Sequence, residues 1–185
     1  PAETNQTMMD SWDAFFSRCQ EALMSSNNFV DFETNVMEPV KSSVLGTEDG
    51  VVIGYVEGEG ARTGMLREVL VAMLRDDKTY QITAKVGNGF SDDERKNILK
   101  TLEKYKVESG YIEASGTKVA FTMVKPEMII EYASIDLAVE NSKGPIRKMN
   151  LTYGDNGYSA IQMLSCVSSM SPVFIRIRHD KKVNN

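Results

Sequence analysis

Three short stretches carry residue types whose spacing could do chemistry, and the chemistry in each case is that of phosphate. The first is Arg176-Ile177-Arg178-His179-Asp180-Lys181-Lys182. Strand alternation puts Arg176 and Arg178 on one face, with Phe174 beside them. Two neighbouring guanidiniums repel unless an anion lies between them, and the planar bidentate fork suits phosphate. A solvated basic strand end is the plain alternative. The second stretch is Lys85-Val86-Gly87-Asn88-Gly89-Phe90-Ser91-Asp92. A lysine ends a strand, two glycines follow, and Phe90 precedes a helix start whose N–H groups can accept a phosphate. The alternative is structural, with Phe90 stapling onto the helix near Arg95 or Ile98. The third runs from Gly54 to Gly64 and holds four glycines in eleven residues. Such a loop could admit a phosphate backbone, but Glu57 and Glu59 oppose it, and a hairpin accounts for the composition. It is neither a Walker loop nor a dinucleotide fingerprint, because no Gly-Lys-Ser/Thr and no βαβ unit goes with it.

Other chemistries are poorly supported. With one histidine, His179, a zinc centre or a Ser/His or Cys/His nucleophile lacks its partners, and no metal site is expected. Cys19 and Cys166 are far apart and read as buried thiols of a reducing compartment. The 185 residues carry 21 basic and 26 acidic side chains, a net charge of −5, which argues against a broad basic face. No apolar run reaches the roughly 18 residues of a membrane helix, and no basic-then-apolar leader is present, so a cytoplasmic protein is expected.

The elements that must position these stretches divide near residue 45. In residues 1–45, Trp12, Phe15, Phe16, Cys19 and Leu23 recur at helical spacing and predict a helical segment whose stripe docks or binds a partner. Residues 46–185 alternate with period 2. Val51–Val56 and Tyr80–Val86 predict strands; Leu66–Leu74 fits helix or strand, and the turn at Arg75-Asp76-Asp77-Lys78 favours strand. Ser91 and Glu94 then form a capping box that opens a helix with Ile98, Leu99, Leu102 and Tyr105 on one stripe, ending near Gly110. Val119–Met123, Met128–Leu137 and Pro172–Arg178 predict further strands. Gly144-Pro145 and Gly154-Asp155-Asn156-Gly157 mark loops. The expected fold is mainly β: a five-stranded Greek-key OB-fold barrel with one inserted helix, preceded by the N-terminal helical segment.

Taken together, the order and spacing of the three stretches resemble the C-terminal OB domain of ATP-dependent DNA ligases, from about Val51 to Lys182. That resemblance implies a part in sealing nicked double-stranded DNA during replication and repair. In the family a lysine in a Lys-x-Asp-Gly motif of a separate nucleotidyltransferase domain takes AMP from ATP, with Mg2+. The OB domain closes on that domain to orient the ATP pyrophosphate, then clamps DNA with its other face. By position, Arg176, Arg178, Asp180 and Lys181 match the terminal catalytic motif. Lys85, Gly87, Gly89 and Phe90 match the DNA-facing loop, with Arg62 as a further DNA contact.

The chain also departs from that pattern. No Lys-x-Asp-Gly occurs; Glu48-Asp49-Gly50 lacks the lysine, so the chain alone is expected to be inactive. Val173 stands where many relatives carry arginine, Glu59 and Ala61 stand where relatives are more basic, and the 143–170 insert is long. The alternative is a non-catalytic OB module that binds single-stranded nucleic acid or a protein partner, which would need exposed aromatics interleaved with basic residues. Tyr80, Phe121, Tyr132 and Phe174 read instead as core.

Overall fold

The computed structural model of the protein describes residues 46–134 and 136–183. The helical stripe expected in residues 1–45, with Cys19, lies outside them. Among the described residues there are eleven strands and one α-helix. The principal strands are β1 (Gly46–Glu57), β2 (Leu66–Leu74), β3 (Tyr80–Val86) and, after helix α1 (Asp92–Leu102), β4 (Thr122–Ser134). Short strands β5 (Asp136–Ala138), β6 (Glu140–Asn141) and β7 (Gly144–Pro145) lead to the long pair β8 (Arg147–Gly154) and β9 (Gly157–Ser165). Strands β10 (Ser168–Met170) and β11 (Val173–Ile177) are the last two.

The barrel follows from the pairing. The sheet order runs β11-β4-β1-β2-β3 and continues to β8-β9. Beyond the end of β3, Asn88 bridges in parallel to Val173 of β11, and the Phe174 N–H donates to the Asn88 carbonyl at 2.8 Å. That bond brings β3 to β11 and closes a ring of five strands, β1-β2-β3-β11-β4-β1, the order of a Greek-key OB barrel. The helix lies between its third and fourth strands. Alternate residues face opposite sides, which gives two cores. Val52, Val69, Val71, Ile98, Leu99, Leu102 and Phe174 share one. Val51, Ile53, Leu70, Ala72, Leu151 and Tyr158 share the other.

Helix α1 begins as its sequence dictates. Ser91 is the N-cap, its hydroxyl accepts from the Glu94 N–H, and the Glu94 side chain accepts from the Ser91 N–H at 2.8 Å. Such a capping box satisfies two orphan donors at once. The helix stops at Leu102 rather than near Gly110. A short 3-10 turn follows, and the chain then joins β4, with the Val107 N–H donating to Met123 O at 3.0 Å.

Two further expectations are corrected. The residues around Val119–Met123 and Met128–Leu137 are not two strands: β4 runs unbroken from Thr122 to Ser134. Lys125 and Glu127 are exposed while Pro126 is buried, so the alternation passes through the proline. The long insert, for which the sequence predicted no strand, is a β-hairpin, β8–β9, turning at the expected Gly154–Gly157 loop and paired to the start of β3 through Tyr80↔Leu151 and Gln81↔Asn150. Gly157, at φ +74°, makes this turn possible, since a Cβ there would lie 2.0 Å from the Glu108 carbonyl.

The closing seam is tight. Gly89 has φ +90°, and a Cβ on it would lie 2.5 Å from the Phe174 carbonyl oxygen and 2.7 Å from Val173 Cγ1. Gly60 also has positive φ (+61°), but open space surrounds it. Gly89→Ala is therefore expected to lower stability by about 2–4 kcal/mol, from backbone strain plus overpacking. Gly60→Ala, with strain alone, should cost about 1–2 kcal/mol. Urea unfolding of the two variants checks this, and equal losses would remove the seam from the account.

Candidate nucleic-acid and nucleotide interface

The terminal stretch forms a connected ion cluster. Strand β11 pairs with β4 through Phe174↔Tyr132 and Arg176↔Glu131, with a bulge between them. Beyond the strand, the Arg178 N–H donates to Ile129 O at 2.8 Å and holds the segment to β4. Arg178 then uses its whole guanidinium. Nε and Nη2 donate to the two Asp180 oxygens at 2.9 and 2.8 Å, a bidentate fork. Nη1 donates to Asp49 at 2.9 Å and lies 3.5 Å from Glu131. Arg176 Nε donates to the same Glu131 oxygen at 2.7 Å. Lys181 donates to Asp49. The anion that two adjacent guanidiniums require is thus Glu131, joined by Asp49 and Asp180. Three cations meet three carboxylates, and the cluster is neutral.

Burial orders its members. The side chains of Arg178 and Glu131 are each 14% exposed, while that of Arg176 is 60% exposed. The hydrogen bond from Arg178 holds the Asp180 carboxyl well below the usual carboxylate range, and Asp180 in return raises Arg178. Asp49 and Glu131 are members that the sequence did not single out. Asp49 comes from the far end of the domain, and Glu131 was visible only as a member of the predicted Met128–Leu137 strand.

A second basic feature lies on the groove lined by Arg62, Arg67, Arg95, Glu68, Gly87 and Asn88, about 350 Å³ in volume. The β1–β2 hairpin supplies Arg62 from its short 3-10 turn. Gly87 supplies a close wall, since a Cβ there would sit 3.3 Å from Glu68 Cβ. Arg95 is held by three carbonyls: Leu66 at 2.8 Å, Arg67 at 3.1 Å and Gly87 at 2.8 Å. Burial, and then the charge of Arg62, push the Arg95 guanidinium down from its ordinary pKa. Arg67 and Arg95 were missed as site residues. Arg95 was visible only as a staple partner, and its guanidinium does lie over the Phe90 ring, at 5.3 Å.

The stretch expected to face DNA is split by the fold. Gly87 lines the groove. Gly89 is the seam residue, facing the β11 backbone. Phe90 does not present its ring to the surface: it is buried and stacks on Phe174 with centroids 4.2 Å apart. A stacked pair of this kind adds about 0.5–1.5 kcal/mol to the burial of the two rings. Lys85 points elsewhere, donating to Glu113 at 2.7 Å and to the Ala114 carbonyl at 2.6 Å. Among the described residues no group of acidic, histidine or cysteine side chains could hold a metal ion. No helix among them is long and apolar enough to cross a membrane.

Comparison with known proteins gives a consistent result. Residues 62–181 match the family described as "ATP dependent DNA ligase C terminal region". A DNA ligase of Staphylothermus marinus is 28% identical over 76% of this chain and 22% of its own length. DNA ligase 1 of Drosophila melanogaster is 26% identical over 89% of this chain and 20% of its own length. The chain thus spans about a fifth of the length of these relatives. Among solved structures, the ligase domain from M. tuberculosis LigD superposes with a TM-score of 0.50 over 76% of this chain and 37% of that one, at 17% identity, a likeness of fold.

The ion cluster generates a pH prediction. Asp180 has its folded-state pKa depressed, so its contribution to stability is present above the unfolded value, about 3.9. That contribution is lost as pH falls below about 4. Asp180→Asn should lower the melting temperature at neutral pH and flatten this part of its fall toward acid, because the variant lacks the carboxylate at every pH. Arg178→Ala should lower that melting temperature more than Arg176→Ala, because Glu131 and Asp49 lose their buried partner. Thermal melts from pH 3 to 7 test both; the reverse order of the two arginine variants would count against the cluster as drawn.

Proposed function

Since the chain belongs to the family of ATP-dependent DNA ligase C-terminal regions, we propose that it closes on a nucleotidyltransferase domain to orient the pyrophosphate of ATP and clamps nicked double-stranded DNA during sealing. The observation that carries this reading is the Arg178 cluster. Its guanidinium already makes a bidentate fork with one carboxylate and a third contact with another. Phosphate oxygens have the charge and planar edge to take the same places. Arg178, Arg176 and Lys181 would then bind the β and γ phosphates and neutralise the charge that develops on departing pyrophosphate. ATP supplies the AMP and the leaving group; Mg2+, as the resemblance implies, accompanies the phosphates. This chain's side chains bind, orient and screen. Asp49 and Glu131 must give up their partners for that to happen, so the exchange is one anion for another. The groove of Arg62, Arg67 and Arg95 supports the DNA clamp, since guanidiniums beside a glycine wall allow a phosphate backbone to approach.

The single-strand module is less well supported. Tyr80, Phe90, Phe121, Tyr132 and Phe174 are all buried and leave these rings unavailable for stacking on bases.

The chain on its own is expected to form no covalent AMP adduct with labelled ATP and Mg2+, because it lacks the nucleophilic lysine. Mixed with, or joined to, a nucleotidyltransferase domain carrying Lys-x-Asp-Gly, Arg178→Ala should slow self-adenylation about 10²–10³-fold. Sealing of a pre-adenylated nick should be spared. Equal loss of both steps, with a lowered melting temperature, would instead make the arginine a structural tie. Nicked-duplex binding by the isolated chain should be weak, with a log–log salt slope near about −3 for three or four phosphate contacts. Tight binding that survives high salt would favour base stacking and the single-strand module.

A further inference from the structure

The inserted hairpin builds a cleft distinct from the terminal ion cluster and the arginine groove. It lies between β3 and β8, has a volume of about 400 Å³, and is lined by Lys85, Tyr111, Glu113, Arg147, Lys148 and Ser169 among others. Three cations and one carboxylate face it, a surplus of two positive charges in a chain whose net charge is −5. The terminal cluster balances its cations with carboxylates; this cleft holds them with carbonyls. Lys148 Nζ donates to the Thr83 carbonyl. Arg147 Nη2 donates to the Met163 carbonyl at 3.0 Å. Lys85 shares its ammonium between Glu113 and the Ala114 carbonyl. Among the described residues neither Arg147 nor Lys148 forms an ion pair.

A carbonyl orients a cation without cancelling its charge. Burial pushes the Lys148 pKa down; Cys166 opposes that shift, Lys85 adds to it and Glu113 opposes it. Tyr111 donates to Glu113, and burial raises its phenol, so the ring adds no charge and fixes the one carboxylate against Lys85. The three cations around the cleft outnumber its one carboxylate and repel one another, and an anion among them relieves that repulsion. Its volume falls at the low end of small-ligand sites, enough for a phosphoryl group but not for a duplex, which would lie across the mouth.

We infer that this cleft binds a phosphate oxyanion, held by Arg147 and Lys148 of the hairpin and Lys85 of the barrel. The phosphate is either a diester of the DNA backbone, in which case the inference rests on the ligase reading above, or a free polyphosphate.

The test uses the full chain and three variants: Arg147→Gln, Lys148→Met and the conservative Lys148→Arg. Nicked-duplex affinity is measured by fluorescence anisotropy across a salt series, and inorganic pyrophosphate binding by calorimetry. Arg147→Gln and Lys148→Met should each weaken binding about tenfold, and Lys148→Arg should retain it. If the backbone is the source, DNA affinity falls and the salt slope drops by about one for each cation removed. If a free polyphosphate is the source, pyrophosphate binding falls and DNA binding does not. Should Lys148→Met fail to fold, Arg147→Gln, on an exposed side chain, carries the test alone. Variants that match the parent for both ligands overturn the cleft while leaving the ligase reading intact. A parent chain that binds pyrophosphate through these residues but no DNA upholds the cleft and counts against the DNA clamp. A parent that binds neither overturns the inference.

Discussion

The hydrogen bond from the Phe174 N–H to the Asn88 carbonyl is the contact on which the rest of the domain depends. It joins the end of the third barrel strand to the last, from Asn88 to Phe174, so its formation closes a long loop at a cost in chain entropy. The surroundings are arranged to hold it. Gly89 has no side chain because none fits against the β11 backbone. Phe90 and Phe174 stack across the joint. Once closed, the seam places the end of β3 beside the start of β11. The groove glycine Gly87 and the cluster arginines Arg176 and Arg178 are thereby held on either side of one rigid joint. A strand shift there would move both features together.

The domain holds cations in two physically different ways, and the difference decides what each can do. At the terminal cluster, carboxylates pair with guanidiniums, and the resting state is neutral and well satisfied. A phosphate can enter only by competing with Asp49, Asp180 or Glu131, so occupancy depends on what else brings the phosphate close. In the Arg62 groove and the hairpin cleft, carbonyls do the holding. Arg95 spends its donors on three backbone oxygens, and Lys148 spends one on Thr83, yet their charges remain uncompensated. Such sites attract anions at a distance, whereas the neutral cluster exchanges them on contact.

Much of the barrel was legible because its strands and helix obey local rules. Tyr80–Val86 alternates with clean breaks at either end, Leu66–Leu74 is marked as a strand by the turn that follows it, and Ser91 with Glu94 announces the helix start. The hairpin was not legible for the converse reason. Only Asn150, Leu151, Gly157 and Tyr158 along it are buried. Strands so exposed carry little hydrophobic period, and the Gly154–Gly157 turn then reads as an ordinary loop. The helix end was misplaced because tertiary pairing of Val107 with β4 ended it before any glycine did. At the candidate site, the arginines could be found by their spacing and Asp180 through the family resemblance, whereas Asp49 and Glu131 could not. Their roles arise from strands brought together by the fold, and no interval in the sequence records that.

The stretch from Lys85 to Asp92 shows why a motif is not a site until its atoms are placed. Eight consecutive residues share one resemblance, yet they divide among four tasks. Lys85 turns toward Glu113 and the hairpin cleft. Gly87 walls the arginine groove. Gly89 and Phe90 close the barrel, and Ser91 caps the helix. Only the first two lie where a phosphate can reach a side chain or a bare backbone. Phe90 belongs with Phe174, and the pair explains each other: a phenylalanine before the helix and another on the last strand are required wherever the seam packs by stacked rings. The phosphate chemistry of the stretch therefore resides in its charged and side-chain-free positions, while its aromatic position serves the closure that keeps those positions in register.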